Sequence, residues 1–311
     1  MMAQRDPWVN MLRTTLAAFG AGVGGADAVT VLPFDAVIPG GAPEVSDAFA
    51  ARIARNTQLL LLEESHLGRV IDPAGGSWYV EHLTDAMAQT AWAFFQELEG
   101  AGGFRAALGA GLLGERIDSS RGKRDDDIAN RRKALTGVNE FPNLDEAPIP
   151  AAAKPGDTGA LPSVRYSESF EQLRNRSDVH FGSTGSRPAV FLATLGPVAE
   201  HNVRAGFITN LLAAGGIAAI NPGPLDAPKA VTTAFAETGT PVAIVCGTDK
   251  RYAAKGSDAV RELRDAEATE VFVAGATKTF ADYEHQPDGF LGAGADAVAA
   301  LTGLLATLGV K

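Results

Sequence analysis

From residue 187 onward the chain alternates apolar runs with helical stretches, and this rhythm restricts its fold more than any other property. The runs cover residues 189–195, 217–221, 242–246, 271–274 and 289–291, and helical patterns follow near 199–214, 227–238, 253–266, 279–285 and 296–308. Strands without polar alternation are buried on both faces, the condition of a parallel sheet sheathed by helices. The pattern predicts a doubly wound, flavodoxin-like α/β domain. Such sheets take ligands beyond the carboxyl ends of their strands.

The strand ends are therefore where chemistry should sit. They read Gly196-Pro197-Val198-Ala199-Glu200-His201, Asn221-Pro222-Gly223-Pro224, Gly247-Thr248-Asp249 and Gly275-Ala276-Thr277. Only Glu200, His201 and Asp249 carry groups suited to acid–base or metal chemistry. His201, in the opening turns of a helix, reads as solvated or capping. Asp249, beside Lys250 and Arg251, reads as a helix-start anion with local partners.

Other motifs fall short of a site. Gly292-Ala293-Gly294-Ala295-Asp296-Ala297 matches G-x-G-x-x-A, but it lies in the last unit, with no room for the following strand and acidic residue of a dinucleotide site. Gly182-Ser183-Thr184-Gly185-Ser186 lacks the lysine of a phosphate loop and precedes a strand. His66, His82, His180, His201 and His285 are scattered without zinc-site spacing. The single cysteine, Cys246, ends the apolar run 241–246 and reads as a buried strand thiol.

The first part of the chain is less regular. Behind Pro7, Trp8, Leu12, Leu16 and Phe19 recur at helical spacing. A short β-branched run at 28–32 predicts a buried strand, and a weaker one is expected at 67–71. Between them, a helix over 46–64 places Phe49, Ile53, Thr57, Leu60 and Leu61 on one face. A long helix over 78–99 carries Val80, Leu83, Met87, Ala91, Phe94 and Leu98 as its stripe. Residues 104–137 read as a solvated helical region with interleaved charges. From 139 to 186 the chain collects Pro142, Pro148, Pro150, Pro155 and Pro162 and reads as a linker. Its one ordered island has Tyr166, Phe170 and Leu173 on one helical face, with Ser169 and Gln172 able to form a capping box. The expected division is 1–138, a linker at 139–186, and the sheet domain at 187–311. A formal charge of −10 disfavours nucleic acid and anionic membranes as partners. With no apolar leader or spanning stretch, the chain reads as cytoplasmic.

Longer strings carry a resemblance. Arg5-Asp6-Pro7-Trp8-Val9-Asn10, Ala51-Arg52-Ile53-Ala54-Arg55-Asn56-Thr57-Gln58, Ile71-Asp72-Pro73-Ala74-Gly75-Gly76-Ser77-Trp78-Tyr79-Val80-Glu81 and Gly137-Val138-Asn139 resemble the later part of the substrate barrel of methylmalonyl-CoA mutases. The trailing domain resembles their cobalamin domain. The resemblance implies that residues 1–138 are an incomplete (β/α)8 TIM-barrel segment.

In cobalamin-binding members of that family, the loop after the first strand carries Asp-x-His-x-x-Gly, whose His ligates cobalt and whose Asp orients the imidazole. Here, Glu200 at the His position puts Val198 at Asp and Val203 at Gly. Sliding to His201 leaves Ala199 and Arg204 there. The one D-x-H, Asp178-Val179-His180, precedes the strand. The Ser-Leu and Gly-Gly elements for the nucleotide tail stand as Gly247-Thr248 and Gly275-Ala276, and the loop after Asp35 holds no Glu to face the corrin. No catalytic, cofactor-binding or metal residue is therefore assigned to this chain.

That pattern is similar to the catalytically silent small (beta) subunit of the family's heterodimeric bacterial members. The resemblance then implies an isomerase that interconverts (R)-methylmalonyl-CoA and succinyl-CoA. A large (alpha) subunit would be the partner and would bind the adenosylcobalamin, with none on this chain. Residues 1–137 cannot close a barrel of eight strands, so the chain reads as the C-terminal part of a longer subunit, started at an internal Met1 or Met2, with its helix stripes at 46–64 and 78–99 uncovered. Two other readings stay open: a flavodoxin-like binding or scaffold module freed from mutase function, and a catalytic mutase with an unusual cobalt ligand, His201 or none.

Overall fold

Val190, Leu192, Val242 and Ile244 point to one face of a sheet, and Phe191, Ala193, Ala243 and Val245 to the other; all eight are fully buried. Side chains alternate along a strand, so burial at every position requires cover on both faces. A computed structural model, which describes residues 1–149, 164–280 and 284–311, shows how that cover is supplied. Strands β1 (Ala189–Thr194), β2 (Ala218–Ile220), β3 (Val242–Cys246), β4 (Glu270–Ala274) and β5 (Gly289–Leu291) form one parallel sheet in the order β2-β1-β3-β4-β5. On one face lie α6 (Glu168–Thr184), α7 (Val198–Ala214) and α10 (Ala297–Thr307), with Phe170, Leu173, Ile208, Leu212, Leu301 and Leu304 in the core. On the other lie α8 (Pro228–Ala236) and α9 (Asp249–Asp265), with Val231, Phe235, Tyr252, Val260 and Leu263. Each such apolar side chain contributes about 1.5–3 kcal/mol when fully buried.

The five strands fall within a residue or two of their expected positions. Helix α9 begins one turn earlier than the expected 253, because the Thr248 hydroxyl accepts from the Arg251 N–H at 3.3 Å and caps the earlier start. Asp296 caps α10 likewise, accepting from Ala299 N at 2.9 Å. The helix expected at 279–285 is replaced at its start by a 3₁₀ turn, Thr277–Thr279, and residues 281–283 of it lie outside the described residues. Pro150, Pro155 and Pro162 of the expected linker also lie outside them. The island expected around Phe170 is longer than its spacing suggested. It runs as α6 through Thr184, and Ser167, not Ser169, stands at its start, donating to Glu171 Oε1 at 2.6 Å.

Packing divides the chain into two units. One comprises Met1, Ala3–Asp6 and Asp126–Lys311, and the other Met2 and Pro7–Asp125. In the first, residues 3–6 are held by buried polar contacts. Arg5, 2% exposed, reaches Asp178 Oδ2 and Asn175 Oδ1, both at 2.6 Å, while Gln4 N donates to Glu171 and Asp6 N to Glu146.

The second unit contains α1 (Pro7–Val23), α2 (Asp47–Leu59), α3 (Trp78–Gly100), α4 (Phe104–Gly109) and the first part of α5 (Leu112–Ala129). The strands expected at 28–32 and 67–71 are absent: the first segment is irregular and Leu67–Arg69 is a 3₁₀ turn. A strand satisfies its backbone groups only by pairing with a neighbouring strand, and the described residues of this unit offer none. Helix α2 buries the expected face through Ala50, Ala54 and Thr57, with Phe49 and Ile53 half-buried, but Leu60 is exposed. Helix α1 forms behind Pro7, as the spacing predicts. It buries Asn10, Thr14 and Ala18, with Asn10 donating to Phe34 O at 2.8 Å, and it turns Trp8, Leu12, Leu16 and Phe19 outward. No side chain of α3 is buried, and Trp78, Tyr79, Met87 and Trp92 are widely exposed. Helix α5 is solvated as expected, with an Arg121–Asp125 pair at 3.3 Å.

Candidate functional site

In a sheet of this order the crevice opens where chain direction reverses, between the carboxyl ends of β1 and β3. Gly196 follows β1 with φ +80°, a conformation that side chains other than glycine resist. Its N–H donates to Leu225 O at 3.2 Å, while Leu225 N donates back to Thr194 O at 2.9 Å, so the loop after β2 is laid over the end of β1. A Cβ on Gly196 would stand 2.6 Å from the Nε of Arg251, whose guanidinium lies directly on the glycine.

Arg251 comes from the first turn of α9 and pairs with Glu200 in the first turn of α7. The hydrogen bond from Arg251 holds the Glu200 carboxyl below the usual carboxylate range. One turn further along α7, Arg204 pairs with Asp249, donates to Gly247 O at 2.6 Å, and lies 4.7 Å from the Tyr252 ring centroid. Two charge pairs thus span the mouth between β1 and β3. Asp249 does open its helix, but its partner is Arg204, 45 positions away, and not Lys250 or Arg251.

His201 is not solvated. It is 3% exposed, with Nδ1 2.9 Å from Gly196 O, so the ring donates to the loop it follows. Helix periodicity turns it inward, one residue past the outward-facing Glu200. Deeper in, the Tyr252 hydroxyl contacts Ala274 O at 2.7 Å and Val245 O at 3.1 Å and accepts from Gly247 N at 3.1 Å, filling the space beyond β3 and β4. Burial pushes its ionisation upward. Phe280 packs against the Tyr252 ring at 5.5 Å and covers Gly256, where a Cβ would meet it at 2.5 Å. Cys246 is fully buried as expected, and that burial raises its thiol to about 12.

The three candidate groups are therefore brought to one crest, each already engaged by the protein itself. Sequence reasoning missed Arg204 and Arg251, the residues that fill it. The available signal was two arginines, one per helix, each set to face a carboxylate across the strand ends. Among the described residues no three His, Cys, Asp or Glu are grouped to hold a metal ion, and no helix is long and apolar enough to cross a membrane.

Fold and crest define an α/β protein whose parallel sheet has a ligand-type edge occupied by its own side chains. The chain belongs to the methylmalonyl-CoA mutase family: the family profile described as "Methylmalonyl-CoA mutase" matches residues 1–180. It is 56% identical over 310 residues to the "Probable methylmalonyl-CoA mutase small subunit" of Mycobacterium tuberculosis, covering 99% of this chain and 49% of that protein. It is 54% identical over 314 residues to the "Methylmalonyl-CoA mutase small subunit" of Streptomyces virginiae, covering 100% of this chain and 49% of the relative. With the protein of that name from Propionibacterium freudenreichii subsp. shermanii it shares 39% over 325 residues, covering 99% and 48%. The chain spans about half the length of these relatives.

Proposed function

We propose that this chain is the C-terminal part of the non-catalytic small subunit of a heterodimeric methylmalonyl-CoA mutase, which interconverts (R)-methylmalonyl-CoA and succinyl-CoA in the cytoplasm. Its partner is the large subunit, and adenosylcobalamin resides there. The observation that carries this reading is the closed crest. The residues at the end of β1 do not fit a cobalt-ligating loop: His201 is buried at 3% exposure, and Arg251, paired with Glu200, occupies the face of Gly196. No chemical step is routed through this chain. Its role is interface and stability, and its catalytic, cofactor and metal residues are none.

In this reading, residues 187–311 are a flavodoxin-like domain, supported by the strand order, and 139–186 the linker. Residues 1–138 are the barrel segment, supported by the outward apolar faces of α1 and α3, which suit helices and loops that further strands must cover. Titration with adenosylcobalamin, followed by absorbance, should leave the cobalt spectrum unchanged. A protein-induced change abolished by His201→Ala would overturn the silent-subunit reading. Co-expression with a large mutase chain should yield a joint complex, and failure to co-purify would favour the freed scaffold module.

A further inference from the structure

Helix α3 is the longest helix among the described residues, and none of its side chains is buried. Its apolar stripe, Val80, Leu83, Met87, Ala91, Phe94 and Leu98, recurs every three or four residues and so forms one face. That face is open: Met87 is 64% exposed and Leu83 44%. The acidic residues of the helix, Glu81, Asp85, Glu97 and Glu99, lie off the stripe, and Glu97 is held by Arg116 at 2.6 Å. Helices in proteins draw most of their stability from packing an apolar face, so α3 calls for cover. The stripe also reads alike in both directions. Val80 and Leu98 each stand nine positions from Gln89, Met87 and Ala91 each two, and Leu83 and Phe94 six and five.

We propose that a second copy of this chain covers the stripe, giving a two-fold symmetric dimer in which the two α3 helices pack antiparallel with the axis at the level of Gln89. In that register the long Met87 of each copy faces the small Ala91 of the other, Val80 faces Leu98, and Leu83 lies beside Phe94. The same surface serves both copies, so the contact closes on itself. Antiparallel packing sets the start of each helix beside the end of the other, where their dipoles attract. The area suffices. With about 150–250 Å² for each fully covered aromatic side chain, the exposed part of the stripe and of Tyr79 and Phe95 at its edges comes to about 500 Å² per copy, and the pair reaches the roughly 1,000 Å² at which a specific interface begins. A formal charge of −10 opposes association, and an uncharged seam is where it opposes least. Trp78 and Trp92 project from the other side of the helix and stay outside the contact. The dimer does not depend on the mutase reading.

Sedimentation velocity of the full chain over a micromolar concentration series should show monomer passing to dimer. Met87→Lys changes a side chain that is exposed in the single copy, so the fold should survive, and it should weaken the dimer about tenfold or more. Gln96→Lys, on the far side of the helix, should leave the dimer unchanged. Cysteine cross-linking reads the register: a mixture of Met87→Cys chains with Ala91→Cys chains should oxidise to a covalent dimer faster than either variant alone, and the native Cys246 is fully buried and does not compete. A monomer throughout the series, assembly without a dimer step, dimerisation unchanged in Met87→Lys, or cross-linking no faster in the mixture would each overturn the proposal.

Discussion

Removing the acid of the buried cluster around Arg5 should cost more than removing the base. Asp178, 8% exposed, faces Arg5 at 2.6 Å and Arg187 at 2.8 Å, and Arg174 is close enough to feel both charges. Burial, reinforced by Arg5, lowers Arg174 to about 10. Positive charge is thus in local excess. Asp178→Asn leaves arginines buried without their counter-charge, a loss of about 3–5 kcal/mol for breaking a buried pair. Arg5→Met instead preserves apolar bulk, leaves Asp178 its contact with Arg187, and removes two donors, Nε and Nη1, that have no acceptor among the described residues. Its ion pair with Asp178 and its charged hydrogen bond to Asn175 are together worth about 1.5–3 kcal/mol, and relief of the two donors should bring the net cost to about 1–2 kcal/mol. Urea unfolding with a fixed slope reads both. The double variant should be less destabilised than the sum of the singles, because deleting Arg5 relieves the repulsion that Asp178→Asn creates. An Arg5→Met cost equal to or above that of Asp178→Asn, or strict additivity, would refute the charge-excess argument.

Gly196→Ala should lose about 1–2 kcal/mol from its left-handed backbone alone, with further loss as Arg251 is displaced, and a urea midpoint equal to the parent would contradict the geometry. Cys246 should resist a thiol reagent at pH 8 and react only on unfolding, since its thiolate is a negligible fraction below a pKa of about 12; rapid labelling of the folded chain would refute burial. Glu200 has a depressed folded pKa, so its contribution is present above the unfolded carboxylate value and lost as pH falls through the folded one. A Glu200→Gln variant should therefore differ from the parent at neutral pH and converge with it in acid. The three tryptophans, Trp8, Trp78 and Trp92, are all half or more exposed, so fluorescence of the isolated chain should be red-shifted and readily quenched by acrylamide. A blue-shifted, protected emission would mean that α1 and α3 bury these faces within the chain itself.

What the sequence disclosed follows from what each pattern encodes. The uninterrupted runs ending at Thr194 and Cys246 specify strands because only a sheet covered on both faces buries every position, and their placement was recovered to within a residue or two. The segments at 28–32 and 67–71 have strand composition but lack a partner strand, and composition cannot report whether hydrogen-bonding neighbours exist. Trp8, Leu12, Leu16 and Phe19 announce a helix correctly, yet periodicity identifies a stripe without saying which way it turns, and Asn10 and Thr14 took the inner side. At the crest, the sequence named Glu200, His201 and Asp249 but paired Asp249 with its chain neighbours. The contact that decides the site, Arg204 with Asp249, joins two helices that only the strand order makes adjacent.

In sheets of this kind the mouth between the first and third strands is also where the two wings can part when something enters. Here α7 and α9, which flank it, are pinned together at their starting turns by Glu200–Arg251 and Arg204–Asp249, with Gly196 pressed beneath. Both pairs are partly exposed, so a group entering the mouth meets two clasps that it must first undo, each weak and loosened by added salt.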